Sequence, residues 1–273
     1  EMTQAGTEFN AEDPPRTLWA LTADRNREGS LAHCVDRLGL AARAVRDQMS
    51  NDTWMVLGAV ERALAGQAEA APDHDDTRLA AAAQRTLAGM LALSGMTAES
   101  MVHDPGWTMM DIGKRIERGL SLTCLLRSTL VVQRTAEAER TITESALVAC
   151  ESSVIYRRLN LGNVRVSAVA ELVLFDAANP RSLVYQVDRL RLNLRALPGS
   201  SGSSKAERIV EEIGTRLRRV DPADLEQADA AGERAALAEL LDGIHAALSG
   251  LADVITETQL SLPGDMQPLW GLR

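Results

Sequence analysis

Between residues 106 and 126, GWTMMDIGKRIERGLSLTCLL, apolar side chains return at the spacing of an amphipathic helix. Turn chemistry at Asp104-Pro105-Gly106 opens the stretch. On a 100° wheel Met109, Ile112, Gly113, Ile116 and Leu120 share one arc, while Asp111, Lys114 and Arg118 fall opposite. Glu117 lies at the edge of the arc, near Met110, Gly113 and Cys124. A carboxylate there needs a partner, because an unpaired buried charge costs several kcal/mol. Arg157 or Arg158 is the expected partner. Gly113 is expected to let another backbone come close, although glycine inside a helix costs about 1 kcal/mol relative to alanine.

The same periodicity predicts further helices. Ser30 is a good N-cap for a helix over 31–49, with Leu31, Val35, Leu38 and Ala42 on one face. Helices are also expected over 53–65, 77–102, 145–159, 182–197, 206–219 and 230–260, with 134–140 leading into the third of these. The segment 145–159 is apolar nearly all round, which marks a buried helix, and it places Glu151 and Arg158 on one side. Residues 198–205, PGSSGSSK, read as a flexible linker and lack the spacing of a phosphate loop. Residues 1–15 read as disordered or loosely attached, residues 263–273 as a tail, and 16–262 as the helical domain.

A duplication runs through these helices. Shifted by 152 residues, 24–45 aligns with 176–197: Asp24 with Asp176, Ser30 with Ser182, and Val35-Asp36-Arg37-Leu38 with Val187-Asp188-Arg189-Leu190. Ala92-Leu93-Ser94-Gly95 repeats as Ala247-Leu248-Ser249-Gly250. An internal repeat changes the fold reading. It predicts an all-α, multi-helix bundle of about eight helices with internal duplication, in halves of about 24–101 and 176–260.

Composition narrows the function classes. Of 273 residues 45% are hydrophobic and only 3% aromatic, which favours helices over a large sheet. The net charge of −9 argues against non-specific nucleic-acid binding, which needs a basic face. No run of 18 apolar residues is present, so no membrane span is expected. The acidic N-terminus has neither the charged nor the apolar region of a signal peptide. Cys34, Cys124 and Cys150 are odd in number and far apart, and read as buried thiols of a reducing, cytoplasmic compartment.

Three segments resemble the alpha-E family, a helical domain of unknown function: 29–54, 104–126 and 151–199. The second resembles the family's G-W-x(5)-G-R-x-x-E-R pattern, with Lys114 in place of an arginine and Glu117-Arg118 as its final pair. Family members usually open with a W-x-G-R-x-x-E-R-A-E helix that looks like the repeat-mate of 107–118, and nothing before Thr17 fits it. With Glu at position 1, the chain reads as the domain without its first helical segment, cut from a longer polypeptide. The resemblance implies association with, or fusion to, a circularly permuted ATP-grasp ligase, and in some cases a transglutaminase-like protein. ATP and Mg are thereby implied for that partner alone, and no cofactor for this chain.

Candidate chemistry is an Arg/Glu network of Arg46, Asp47, Arg115, Glu117, Arg118, Glu151, Arg157, Arg158, Asp176 and Arg181. Clustered arginines could hold carboxylates or phosphates bidentately; equally, they could be ion pairs that keep helices in register. A di-iron site needs carboxylates and two Glu-x-x-His pairs, and only Asp242-x-x-His245 has even the spacing. Cys34 follows His33, but neighbours on a helix point apart. No catalytic residue and no metal ligand is therefore assigned. The expected function is an accessory domain of an ATP-grasp amide-ligase system that binds the ligase, its substrate or both. The alternatives are an enzyme using an Arg/Glu cleft and a structural module forming a homodimer.

Overall fold

The computed structural model describes residues 13–68, 76–160 and 164–260. Among these the chain is all-α, with eleven α-helices and no strand, and a single bridge between Val132 and Glu233. It divides into two compact units after His103.

The first unit holds α1 (Pro14–Ala23), α2 (Leu31–Ala44), α3 (Asn51–Ala68) and α4 (Asp76–Glu99). Helix α1 begins inside the segment expected to be loose. Asp13 caps it by accepting from the Arg16 N–H at 3.2 Å, and prolines occupy its first positions, where no donor is lost. Residues 1–12, the rest of that segment, lie outside the described residues. The core of this unit is small: Ala32, Val35, Val60 and Leu64, with Leu31 and Met90 against them.

The second unit holds α5 (Pro105–Leu130), α6 (Ala136–Ala149), α7 (Ser153–Leu159), α8 (Val166–Ala170), α9 (Leu183–Ala196), α10 (Lys205–Arg219) and α11 (Ala235–Ile255). Helix α5 packs between α9 and α11, and α10 packs on both of those. Asp104 caps α5 through the Trp107 N–H at 2.8 Å, with Pro105 at its first position. Residues 198–205 turn the chain into α10: Gly199 and Gly202 take positive φ, and Ser204 and Glu207 complete a capping box for that helix. By length and apolarity 235–260 could cross a membrane, but here α11 is the core helix, burying Leu237, Leu241, Ile244, Leu248 and Leu251.

The local repeat is visible in each unit. Ser30 donates to the Asp24 carbonyl at 2.5 Å and accepts from the His33 N–H at 3.0 Å. Ser182 donates to the Asp176 carbonyl at 2.6 Å and accepts from the Tyr185 N–H at 3.2 Å. Asp24 and Asp176 each also accept from the N–H two residues on, closing the same turn. The helices that follow are 14 residues each. The segment that precedes each turn is also matched, Pro14–Ala23 by Val166–Ala170 and its continuation Glu171–Phe175, at the same offset of 152. That second copy ends in a wider π-turn, and its helical character was missed in the sequence because VSAVAELVLF is too uniformly apolar to show a period.

Two sequence expectations fail here. The segment 145–159 is not one helix. It breaks at Cys150–Ser152, where Glu151 takes a positive φ of 51°, so Glu151 and Arg158 do not share a helix face. Gly113 is not the close-approach point of α5: a Cβ there would meet nothing within 4 Å, whereas one at Gly119 would lie 2.6 Å from Leu248 Cδ1.

Candidate functional site

The buried carboxylate of α5 is Asp111, not Glu117. Asp111 is 1% exposed, although the wheel set it on the far side. Its Oδ2 accepts from Asn193 Nδ2 at 2.8 Å and from Arg115 Nε at 3.3 Å, and its Oδ1 lies 2.9 Å from Lys114 Nζ. The opposing stripe of α9 explains the error: it carries Gln186 and Asn193 at core positions, so this face of α5 is buried and polar at once. Arg115 also donates to Gln186 Oε1 at 3.2 Å and stacks over the Tyr185 ring at 5.6 Å. Burial alone would raise the Asp111 pKa. Hydrogen bonds from Lys114, Asn193 and Arg115 outweigh it and hold the carboxyl at about 2. This network, hydrogen-bonded at Oδ2 and ion-paired to Lys114 and Arg115 at Oδ1, fixes the register of α5 on α9.

One turn along α5, a cavity of about 220 Å³ opens beside the end of α6 and the turn before α9. Glu117, Arg118, Ser121, Leu122 and Leu125 of α5 line it, with Ala149, Cys150 and Arg181. Arg181 is ion-paired to Glu151, and this pair braces the strained turn at Glu151. Arg118 is half-buried and, among the described residues, makes no hydrogen bond or ion pair. Burial, and then the charges of Arg181 and Arg115, push its guanidinium below its ordinary range. Burial pushes the Cys150 thiol up to about 11, so it stays protonated and unreactive near neutrality.

The ten residues read as one network from the sequence are thus dispersed. Arg115, Glu117, Arg118, Glu151 and Arg181 come together along α5. Glu117 is exposed and meets neither Arg157 nor Arg158, which is a correction; residue 117 turns away from the face that α9 and α11 cover. Arg157 and Arg158 are exposed on α7, the former donating to the Ser153 carbonyl at 3.3 Å. Asp176 closes its own turn. Arg46 and Asp47 belong to the first unit, where Arg46 sits 5.9 Å over the Trp54 ring.

Sequence reasoning missed two clusters. Arg234, 3% exposed, donates to Glu139, to the Leu130 carbonyl at 2.8 Å and to the Glu226 carbonyl at 3.2 Å, stapling three segments. His245 Nδ1 lies 2.9 Å from Thr123 Oγ1 and 3.7 Å from Cys124 Sγ. Thr123 gives its hydroxyl proton to the Leu120 carbonyl at 2.9 Å, so its oxygen accepts from Nδ1–H, and that nitrogen has no lone pair left to deprotonate Cys124. Both clusters join residues more than 90 apart, which no local pattern signals. Among the described residues no three His, Cys, Asp or Glu side chains gather as metal ligands.

No solved structure matches the chain. It is 61% identical, over 98% of its length, to an uncharacterized protein of Mycobacterium bovis. Uncharacterized proteins of Mycobacterium tuberculosis match it equally well, at 61% and 60%. The chain spans 31% of the length of these relatives. The Alpha-E profile, described as a predicted alpha-helical domain with a conserved ER motif, matches residues 1–260. The chain belongs to the Alpha-E family.

Proposed function

We propose that this Alpha-E chain is a non-catalytic accessory module that docks a helix of a partner protein, the partner being an ATP-grasp ligase that joins carboxylates to amines. The supporting observation is a difference between the repeated helices. In the second unit, α5 covers one stripe of α9 and one of α11. It meets Leu183, Gln186 and Asn193 on α9, and Asp242, His245 and Leu248 on α11. Leu190, on the same α9 stripe, is fully buried. In the first unit the matching positions on α2 are Leu31, Cys34, Leu38 and Ala41, and on α4 they are Leu87, Met90 and Leu93. Leu38 is 39% exposed, Leu87 54% and the adjacent Leu91 57%.

The occupant this face suits is therefore a helix. Where α9 and α11 offer Gln186, Asn193, Asp242 and His245, the first unit offers Cys34, Ala41, Leu87 and Met90. A docked helix here needs an apolar stripe and no counterpart of the Asp111–Arg115 pair. Amphipathic helices in apolar grooves are a recurrent mode of recognition, and burying one leucine contributes roughly 1.5–3 kcal/mol. The test is a binding isotherm between the chain and an ATP-grasp ligase of the proposed kind. Leu38→Asp with Leu91→Asp should abolish binding while leaving the second unit folded. Undiminished binding by the double variant overturns the reading. Self-association lost in the same variant would give the face to a second copy, and turnover of amine and acid by the chain alone would make it an enzyme.

A further inference from the structure

We propose that the cavity at Arg118 is a binding site for a small aliphatic α-amino acid. Its carboxylate would be held by Arg118 and Arg181, its ammonium by Glu117, and its side chain against Leu122, Leu125 and Ala149. Arg118 carries the argument. A guanidinium offers five donors in a fixed fork that matches a carboxylate, and here none of them is used by a described residue. The two carboxylates that attract Arg118 are already engaged, Asp111 by Lys114, Arg115 and Asn193, and Glu151 by Arg181. An unpaired, half-buried cation beside two others is unfavourable until an anion arrives.

The other walls choose among anions. Leu122, Leu125, Ala149 and Cys150 give the cavity an apolar side that inorganic phosphate would leave unfilled. Glu117, exposed on the rim, opposes the arginines with a negative charge, which suits a zwitterion and disfavours a plain fatty acid. A volume of about 220 Å³ lies below the roughly 300–1,000 Å³ of sites for drug-sized ligands, which suits a small molecule such as an amino acid. The strained turn at Glu151 serves the same site: through its ion pair it holds Arg181 on the rim. No residue of the first unit takes part, so this site and the partner-docking face can fail independently.

Titration of the whole 273-residue chain with L-leucine, followed by calorimetry, tests the proposal. Leucine amide, which has no carboxylate, N-acetyl-leucine, which has no ammonium, and inorganic phosphate are the comparison ligands. The expected order is leucine tightest, N-acetyl-leucine weaker, and the amide and phosphate weakest. Arg118→Gln should weaken leucine binding by about tenfold or more, with Arg118→Lys between it and wild type. Its thermal midpoint should stay at or above that of wild type, because no hydrogen bond or ion pair among the described residues is lost and the repulsion from Arg181 and Arg115 is relieved; a purely structural arginine would lower it. No saturable binding of leucine at millimolar concentration, or equal binding by Arg118→Gln, overturns the proposal. Phosphate binding as tightly as leucine would reduce the site to a bare anion patch. N-acetyl-leucine binding as tightly would assign it to a peptide C-terminus instead of a free amino acid.

Discussion

Two glycines on α5, six residues apart, should respond with opposite signs when changed to alanine. At both positions the substitution removes the entropic cost of glycine in a helix, a gain of up to about 1 kcal/mol. At Gly113 the new methyl meets nothing within 4 Å, so the gain is realised and the protein is stabilised. At Gly119 the methyl would fall 2.6 Å from Leu248 Cδ1 and 3.6 Å from Leu183 Cδ1. Both leucines are fully buried, so neither can swing aside without disturbing the α5–α9–α11 core. Overpacking of this kind costs about 1–3 kcal/mol. The propensity gain is common to both variants and cancels in the comparison. Gly119→Ala should therefore be less stable than Gly113→Ala by about 1–3 kcal/mol in urea unfolding. The midpoint should shift and the slope should not. Equal stability of the two would refute the placement of Gly119 at the helix crossing.

The remaining predictions concern the polar contacts. The folded-state pKa of Asp111 is depressed, so its contribution is present above about pH 4 and lost as pH falls toward 2. A depression from 3.8 to about 2 is worth roughly 2 kcal/mol. Wild type should accordingly lose more stability than Asp111→Asn over this window, and parallel acid-unfolding curves would contradict the network. Ser30→Ala and Ser182→Ala should each cost about 1 kcal/mol, read by thermal unfolding, because each serine caps a helix and ties its turn. A clear disparity between them would show that the two turns are not equivalent.

The fold was legible because its signals are local. Ser30 and Ser182, the VDRL match and the Asp104-Pro105 start each encode a cap or a face within a few residues, and the helices begin where these say. The candidate site was legible only in part. Arg115, Arg118 and Arg181 do lie on and near α5, but the wheel misassigned Asp111 and Glu117. It counted apolar residues alone, and the α9 stripe that buries Asp111 carries amides. The break at Glu151 was hidden because nothing in ACESS demands a left-handed residue; glycine or asparagine would have announced it.

Hydrogen exchange of the chain with and without the ATP-grasp ligase proposed as its partner tests the docking account most directly, since it reports where the partner sits. The account predicts that added ligase slows exchange in α2 and α4, centred on Leu38, Leu87 and Leu91, and leaves the matching stripes of α9 and α11 unchanged. Protection confined to the second unit, or no protection at saturating ligase, would contradict it.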